Sequence, residues 1–190
     1  DAAEQASLRL TSPELALSPA LFRRADGSSR FRPHASTVFS SEDLLKAEDR
    51  LLARADKTTA PTIALETVEA ITRKPDKKGR SLGADQAAAL TAIAMSGRVV
   101  DVLVGPAGAG KTTAMSALRR AWEAEHGKGS VVGLAPSAVA AQVLADDLGI
   151  ATENTAKWLH TFHTTGTTFA KGQLVIVDEA SLAGTFTLDQ

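Results

Sequence analysis

The sequence predicts an α/β domain with a mostly parallel sheet flanked by helices, and three observations lead to it. Short runs of β-branched and aliphatic residues recur at 99–104, 131–134 and 174–177. Stretches of helical character, at about 111–126 and 137–147, separate those runs. A turn carrying three glycines, from Gly105 to Gly110, joins the first run to the first of these helices. Apolar runs without polar alternation suit strands covered on both faces, and the crossover helices that cover them make the strands parallel.

Taken in order, residues 1–36 mix Ser, Pro, Arg and Ala without a period and read as an irregular connector. A helix is announced by Ser40 with Asp43 three residues on, then Leu44, Leu45, Ala47, Leu51, Leu52 and Ala55 at helical spacing. Pro61 opens a shorter helix over Thr62 to Arg73. These make a helical preface over 37–80, closing in the polar run Lys74 to Arg80, which reads as a solvated linker. The α/β pattern occupies 81–190, beginning with a helix through Gln86 and Leu90 that leads into the strand at 99–104. Because the chain starts at Asp1 and stops at Gln190, shortly after the third apolar run, it reads as a piece of a longer protein.

Composition narrows the chemistry. With no Cys, a disulfide scaffold, a thiolate metal site and a cysteine nucleophile are excluded. A net charge of -1 removes the broad basic field that would by itself advertise nucleic-acid binding, although local contacts stay open. No apolar stretch reaches the roughly 18 residues of a membrane span and no leader pattern opens the chain, so a cytoplasmic setting fits.

The strongest motif is Gly105-Pro106-Ala107-Gly108-Ala109-Gly110-Lys111-Thr112-Thr113, which satisfies the phosphate-loop pattern and sits between a predicted strand and a predicted helix. Glycines there let backbone amides approach phosphate oxygens without a Cβ in the way. The following helix adds partial positive charge at its start, about 0.3–1 kcal/mol per interaction. Lys111 is placed for the β- and γ-phosphates of a nucleotide such as ATP, and the Thr112 hydroxyl for Mg²⁺. A second signal is the apolar run 174–177 ending in Asp178 and Glu179. The spacing suits Asp178 holding Mg²⁺ and Glu179 orienting or deprotonating an attacking water, with the acidic strand beside the loop strand.

Other candidates are less specific. The carboxamide of Gln86 can donate and accept at once, as an adenine edge requires, although a surface Gln would look the same. Pro136 and Ser137 open the helix after the second run, where a phosphate contact and a simple N-cap demand the same Ser. Thr155 and Trp158 can offer a hydroxyl donor and a stacking face to single-stranded DNA, while a half-buried Trp on an amphipathic helix reads equally well. His160 and His163 stand three apart with no third ligand in view and are left as ordinary residues.

In this order, Gln86, the loop 105–113, Ala135-Pro136-Ser137, the segment Thr152 to His160 and Val175 to Ser181 resemble the opening motifs of superfamily 1 DNA helicases, nearest to the RecD-like branch. The stretch Ser81 to Leu188 is similar to the helicase portion of TrwC/TraI-type (MobF) conjugative relaxases. The resemblance implies a RecA-like P-loop NTPase fold for 81–190, the first lobe of a motor that hydrolyses ATP with Mg²⁺ and moves on single-stranded DNA during plasmid transfer. It implies phosphate binding by 105–113, metal and water chemistry at Asp178 and Glu179, adenine contact by Gln86, and DNA contacts from Pro136, Ser137 and Thr155. Departures limit it. The nicking chemistry of relaxases uses tyrosines and a histidine-bound metal, and this chain has no Tyr. A second RecA-like lobe with its arginine finger, and a relaxase domain, are expected elsewhere in the longer protein, so the piece alone should turn over poorly. A RecD-like repair helicase and a nucleotide-dependent DNA-binding module are the alternatives. A P-loop small-molecule kinase is disfavoured, because Arg119 and Arg120 are the only arginines after the loop.

Overall fold

The computed structural model describes residues 7–12, 18–33, 37–76, 79–106 and 108–190. Ala107 of the glycine-rich loop and parts of the connector lie outside the described residues. Along the chain run β1 (Leu8–Arg9), β2 (Phe39–Ser40), α1 (Glu42–Ala55), α2 (Leu65–Thr72), α3 (Ala84–Met95) and α4 (Lys111–His126). They are followed by β3 (Val131–Ala135), α5 (Ala138–Leu148), β4 (Ala151–Asn154), α6 (Thr155–Thr165), β5 (Leu174–Val177) and α7 (Thr185–Asp189). Single 3₁₀ turns occupy Ala20–Phe22 and Ala180–Leu182.

The expected α/β class holds. β3 is the middle of a parallel three-stranded sheet in the order β4-β3-β5, with Val132 opposite Ala151 and Val131 opposite Leu174. Helix α5 crosses from β3 to β4 and closes against the sheet at Gly133, where a Cβ would stand 2.7 Å from Thr152 Cγ2 and 2.8 Å from Leu144 Cδ2. Only a residue without a side chain lets helix and strand approach so closely. β1 and β2 form a separate antiparallel pair, so the connector region carries a small structure of its own.

One strand expected from the sequence does not form. Residues 99–104 belong to no β-ladder, and Val102 and Val104 are 79% and 87% exposed. The hydrogen bonds at the start of this run go to the stretch after α1. The Val99 amide donates to the Lys57 carbonyl at 2.9 Å, and the Ala60 amide to the Gly97 carbonyl at 2.9 Å. The Asp101 carboxylate accepts from the Ser96 hydroxyl. β-branched composition fits a strand, but a strand needs a neighbouring edge to satisfy its backbone. Here the run is tied to a loop instead, and β5 has β3 as its only ladder partner among the described residues.

The preface helices begin slightly later than their sequence signals. α1 is capped by Ser41 rather than Ser40, its hydroxyl accepting from the Leu44 amide at 3.2 Å. α2 starts at Leu65 rather than Thr62, because the Ile63 amide is drawn to the Ala94 carbonyl at the end of α3. α2 shares the main core. Ile63 and Val68 are buried in one cluster with Leu90 and Ala94 of α3, Leu118 and Trp122 of α4, and Val131 and Ile176 of the sheet. α1 is held elsewhere, by Arg50 and Arg54, which both pair with the Asp189 carboxylate on α7. No helix among the described residues is long and apolar enough to cross a membrane.

Candidate active site

The glycine-rich loop meets α4 through two residues in the left-handed region, Gly108 at φ +77° and Gly110 at φ +75°. Side chains rarely adopt that backbone, which accounts for glycine at both positions. Gly110 caps α4, and Lys111 and Thr112 are its first two residues, both exposed. Helix starts leave amides without intrahelical acceptors. Among the described residues, the Gly110 and Thr112 amides donate to no backbone carbonyl, while the Thr113 amide turns back to the Gly110 carbonyl. A Cβ added at Gly108 would meet nothing within 4 Å, so the space beside Gly108 is open. The Lys111 ammonium folds over the loop, donating to the Gly105 carbonyl at 2.6 Å and the Pro106 carbonyl at 3.0 Å. Amides at a helix start, open space beside Gly108 and a lysine folded over the loop fit an anionic polyphosphate.

Gln86 stands third in α3 and touches this loop. Its Oε1 accepts from the Gly83 amide at 3.0 Å, and its Nε2 donates to the Ala109 carbonyl at 2.8 Å. Both arms of the carboxamide expected to meet an adenine edge are thus engaged within the protein.

The acid pair sits at the end of β5. The Asp178 amide extends the ladder by donating to the Leu134 carbonyl at 2.9 Å, and the Asp178 carboxylate accepts from the Glu179 amide at 3.0 Å. Glu179 has φ +48° and ψ +42°, the sole positive φ among the described residues other than glycine. That backbone turns the chain abruptly from strand into the 3₁₀ turn. Asp178 and Glu179 line a cavity of about 200 Å³ together with Pro136, Thr155, Leu182 and Thr187. Two candidate DNA contacts are therefore gathered with the acids, while no described residue of the glycine-rich loop lines that cavity. The adjacency of loop strand and acidic strand expected from the sequence is absent, since 99–104 pairs with nothing in the sheet.

The remaining candidates carry structural duties. The Ser137 hydroxyl caps α5 by accepting from the Ala140 amide at 3.1 Å. The Thr155 hydroxyl donates to the Ala135 carbonyl at 3.0 Å. Asn154, which drew no notice in the sequence, caps α6 through its Oδ1 and donates through Nδ2 to the Pro136 carbonyl at 3.1 Å. It thereby fixes the Pro136 wall of the cavity. An Asn directly ahead of a helical pattern is a cap signal, so it was findable. Trp158 is not an open stacking face. Its ring stacks on Phe169, centroids 4.2 Å apart and planes 4° off parallel, and lies parallel to Phe162 at 5.8 Å. Phe162 follows at helical spacing, but Phe169 lies in the loop beyond α6 and no local signal points to it. Beside the cavity, the Lys157 ammonium and then the Asn154 amide hold the Glu153 carboxyl below the usual carboxylate range.

A glycine loop opening a helix, a parallel sheet with crossover helices and an acidic strand end define a P-loop NTPase domain of the RecA-like α/β kind. Residues 81–190 match the family described as AAA domain, and the chain belongs to it. The chain is also 32% identical over 127 residues to the probable conjugal transfer protein TraA of Sinorhizobium fredii (strain NBRC 101917 / NGR234). That match covers 65% of this chain and 11% of the relative, so the chain spans a small part of that protein's length. Both agree with the kinship to TrwC/TraI-type conjugative proteins read from the motifs. No solved structure matches the chain.

Proposed function

We propose that this chain contains the first motor lobe of a conjugative DNA helicase, which binds ATP with Mg²⁺, hydrolyses it, and uses the cycle to move on single-stranded DNA. The observation that carries the reading is the loop: two left-handed glycines lead into a 16-residue helix whose first residue is Lys111. Such an arrangement binds a triphosphate chain through backbone dipoles and one ammonium. In this reading Gly105 to Thr113 would hold the phosphates, and Thr112 and Asp178 would hold Mg²⁺ in a state that brings the loop against the acid pair, which lines a separate cavity here. A hydroxyl and a carboxylate are the hard oxygen donors that Mg²⁺ takes. The ion would neutralise charge developing on the phosphates. Glu179, which pairs with no cation among the described residues, would orient the attacking water.

The cavity shared by Asp178, Glu179, Pro136 and Thr155 supports DNA binding at the strand ends on the acid side. The similarity to a conjugal transfer protein supports plasmid transfer as the setting. A second RecA-like lobe and a nicking domain are partners this reading expects in the longer protein, and the cytoplasm is where it expects the motor to act. The domain plan follows the same reading, with 37–80 as preface and 81–190 as motor lobe.

Calorimetric titration of the chain with a non-hydrolysable ATP analogue and Mg²⁺ tests it. Binding should be measurable for the natural chain and abolished by Lys111→Ala with the circular-dichroism spectrum intact. Equal affinity in the two proteins would remove the loop from the site.

A further inference from the structure

We infer that Gln86 is a positioning residue: it latches the phosphate loop to the first turn of α3, so that its loss weakens every triphosphate ligand alike, whatever the base. The inference rests on the reading of the loop as a nucleotide site.

The geometry is specific. One arm of the carboxamide, Oε1, takes the Gly83 amide at 3.0 Å, an orphan donor at the start of α3. The other, Nε2, reaches 23 residues along the chain to the Ala109 carbonyl at 2.8 Å. A single planar group thus ties the helix before the loop to the peptide that precedes Gly110. Gly110 is built around this contact. A Cβ there would overlap Gln86 Nε2, in addition to meeting a backbone φ of +75° that L side chains rarely adopt. The Ala109 amide donates to the Pro106 carbonyl at 3.2 Å, so the latch and the loop's own turn act on one residue from both sides.

Two consequences follow. The Gly110 amide, which donates to no backbone carbonyl among the described residues, belongs to the peptide whose carbonyl Gln86 grips, so the carboxamide sets where that amide points. The two hydrogen bonds take up one of the two N–H groups and one of the two oxygen lone pairs of the carboxamide, so the grip on the loop is in place before any base arrives.

Gln86→Glu separates the duties. It retains an acceptor for the Gly83 amide and replaces the donor with a carboxylate that the Ala109 carbonyl repels. The full chain and this variant would be titrated calorimetrically with ATP, GTP and inorganic tripolyphosphate, each with Mg²⁺. The amide resonances of Gly108 and Gly110 would be followed by nitrogen-15 NMR without ligand. The expected result is an equal loss of affinity for all three ligands, roughly three- to tenfold from the net worth of one hydrogen bond. Displaced loop amides before any ligand is added should accompany it, with the melting temperature of the natural chain retained. A loss confined to ATP would overturn the inference in favour of a base contact. Unchanged loop amides would overturn it in favour of a helix cap alone, and that readout stands even if the natural chain bound none of the three ligands, which would instead refute the nucleotide reading.

Discussion

The Glu125 carboxylate on α4 lies 2.7 Å from the Thr67 hydroxyl and 3.2 Å from the Ala64 amide, so the helix that follows the phosphate loop caps a helix that precedes it. The Thr67 hydroxyl first, and then the Ala64 amide, hold the Glu125 carboxyl below the usual carboxylate range. A depressed carboxyl stabilises the folded chain above its unfolded pKa, about 4.3, and that contribution is lost as pH falls through the lowered folded value. The capping contact should therefore be complete at neutral pH and vanish on acidification. Melting temperature followed between about pH 6 and pH 2.5 should fall more steeply for the natural chain than for Glu125→Gln. Parallel acid limbs would show that the contact contributes nothing in solution.

The run 99–104 gives a sharper discrimination. With Val102 and Val104 at 79% and 87% exposed, replacing both by Ser should move stability by no more than about 0.5 kcal/mol each, as for surface positions without special contacts. Ile176 of β5, buried in the core cluster, should lose about 2–5 kcal/mol on substitution by Ala. Urea unfolding of the two variants checks both. A large loss from the valine pair would show that the run is a packed strand after all.

That contrast marks where sequence reasoning reached and where it stopped. α4 and α5 were legible because their ends are written locally: Gly110 and Gly127 bracket the first, Ser137 and Gly149 the second. β3 and β5 were legible because Val131 and Ile176 are both aliphatic and buried. The valines at 99–104 carry the same signal, yet composition cannot state whether an open sheet edge lies beside a run, and here the Val99 amide goes to the Lys57 carbonyl instead. For the same reason the chemistry of the loop and of the acid pair was readable residue by residue, while their mutual placement was not. The tie from Gln86 to Ala109 and the stack of Phe169 on Trp158 are contacts across distant sequence, which no local pattern encodes.

Phe169 covers one face of the Trp158 ring. On the proposed function, Phe169→Ala should uncover Trp158, shift its emission to the red in a Trp122→Phe background, and strengthen binding of an oligothymidine. Base stacking on an aromatic ring is worth about 1–3 kcal/mol, so a several-fold gain is expected. A fall in affinity would instead identify Phe169 as part of the DNA surface, and unchanged affinity would remove Trp158 from it.

Glu179 joins a candidate catalytic carboxylate to a backbone that non-glycine residues rarely adopt, with φ +48° and ψ +42°. Left-handed backbone costs an L residue roughly 1–2 kcal/mol, and strained positions of this kind gather at functional sites. Glu179→Ala and Glu179→Gly both delete the carboxylate, so both should abolish turnover in the full-length motor. Their stabilities should differ in an unusual order. In regular structure Gly is less stable than Ala by about 0.5–1 kcal/mol, but here Ala retains the left-handed strain and Gly relieves it. Urea unfolding should therefore find Glu179→Gly at least as stable as Glu179→Ala. The ordinary order, with Ala clearly ahead, would show that the chain at Glu179 does not hold the left-handed turn by which the acid pair enters its cavity.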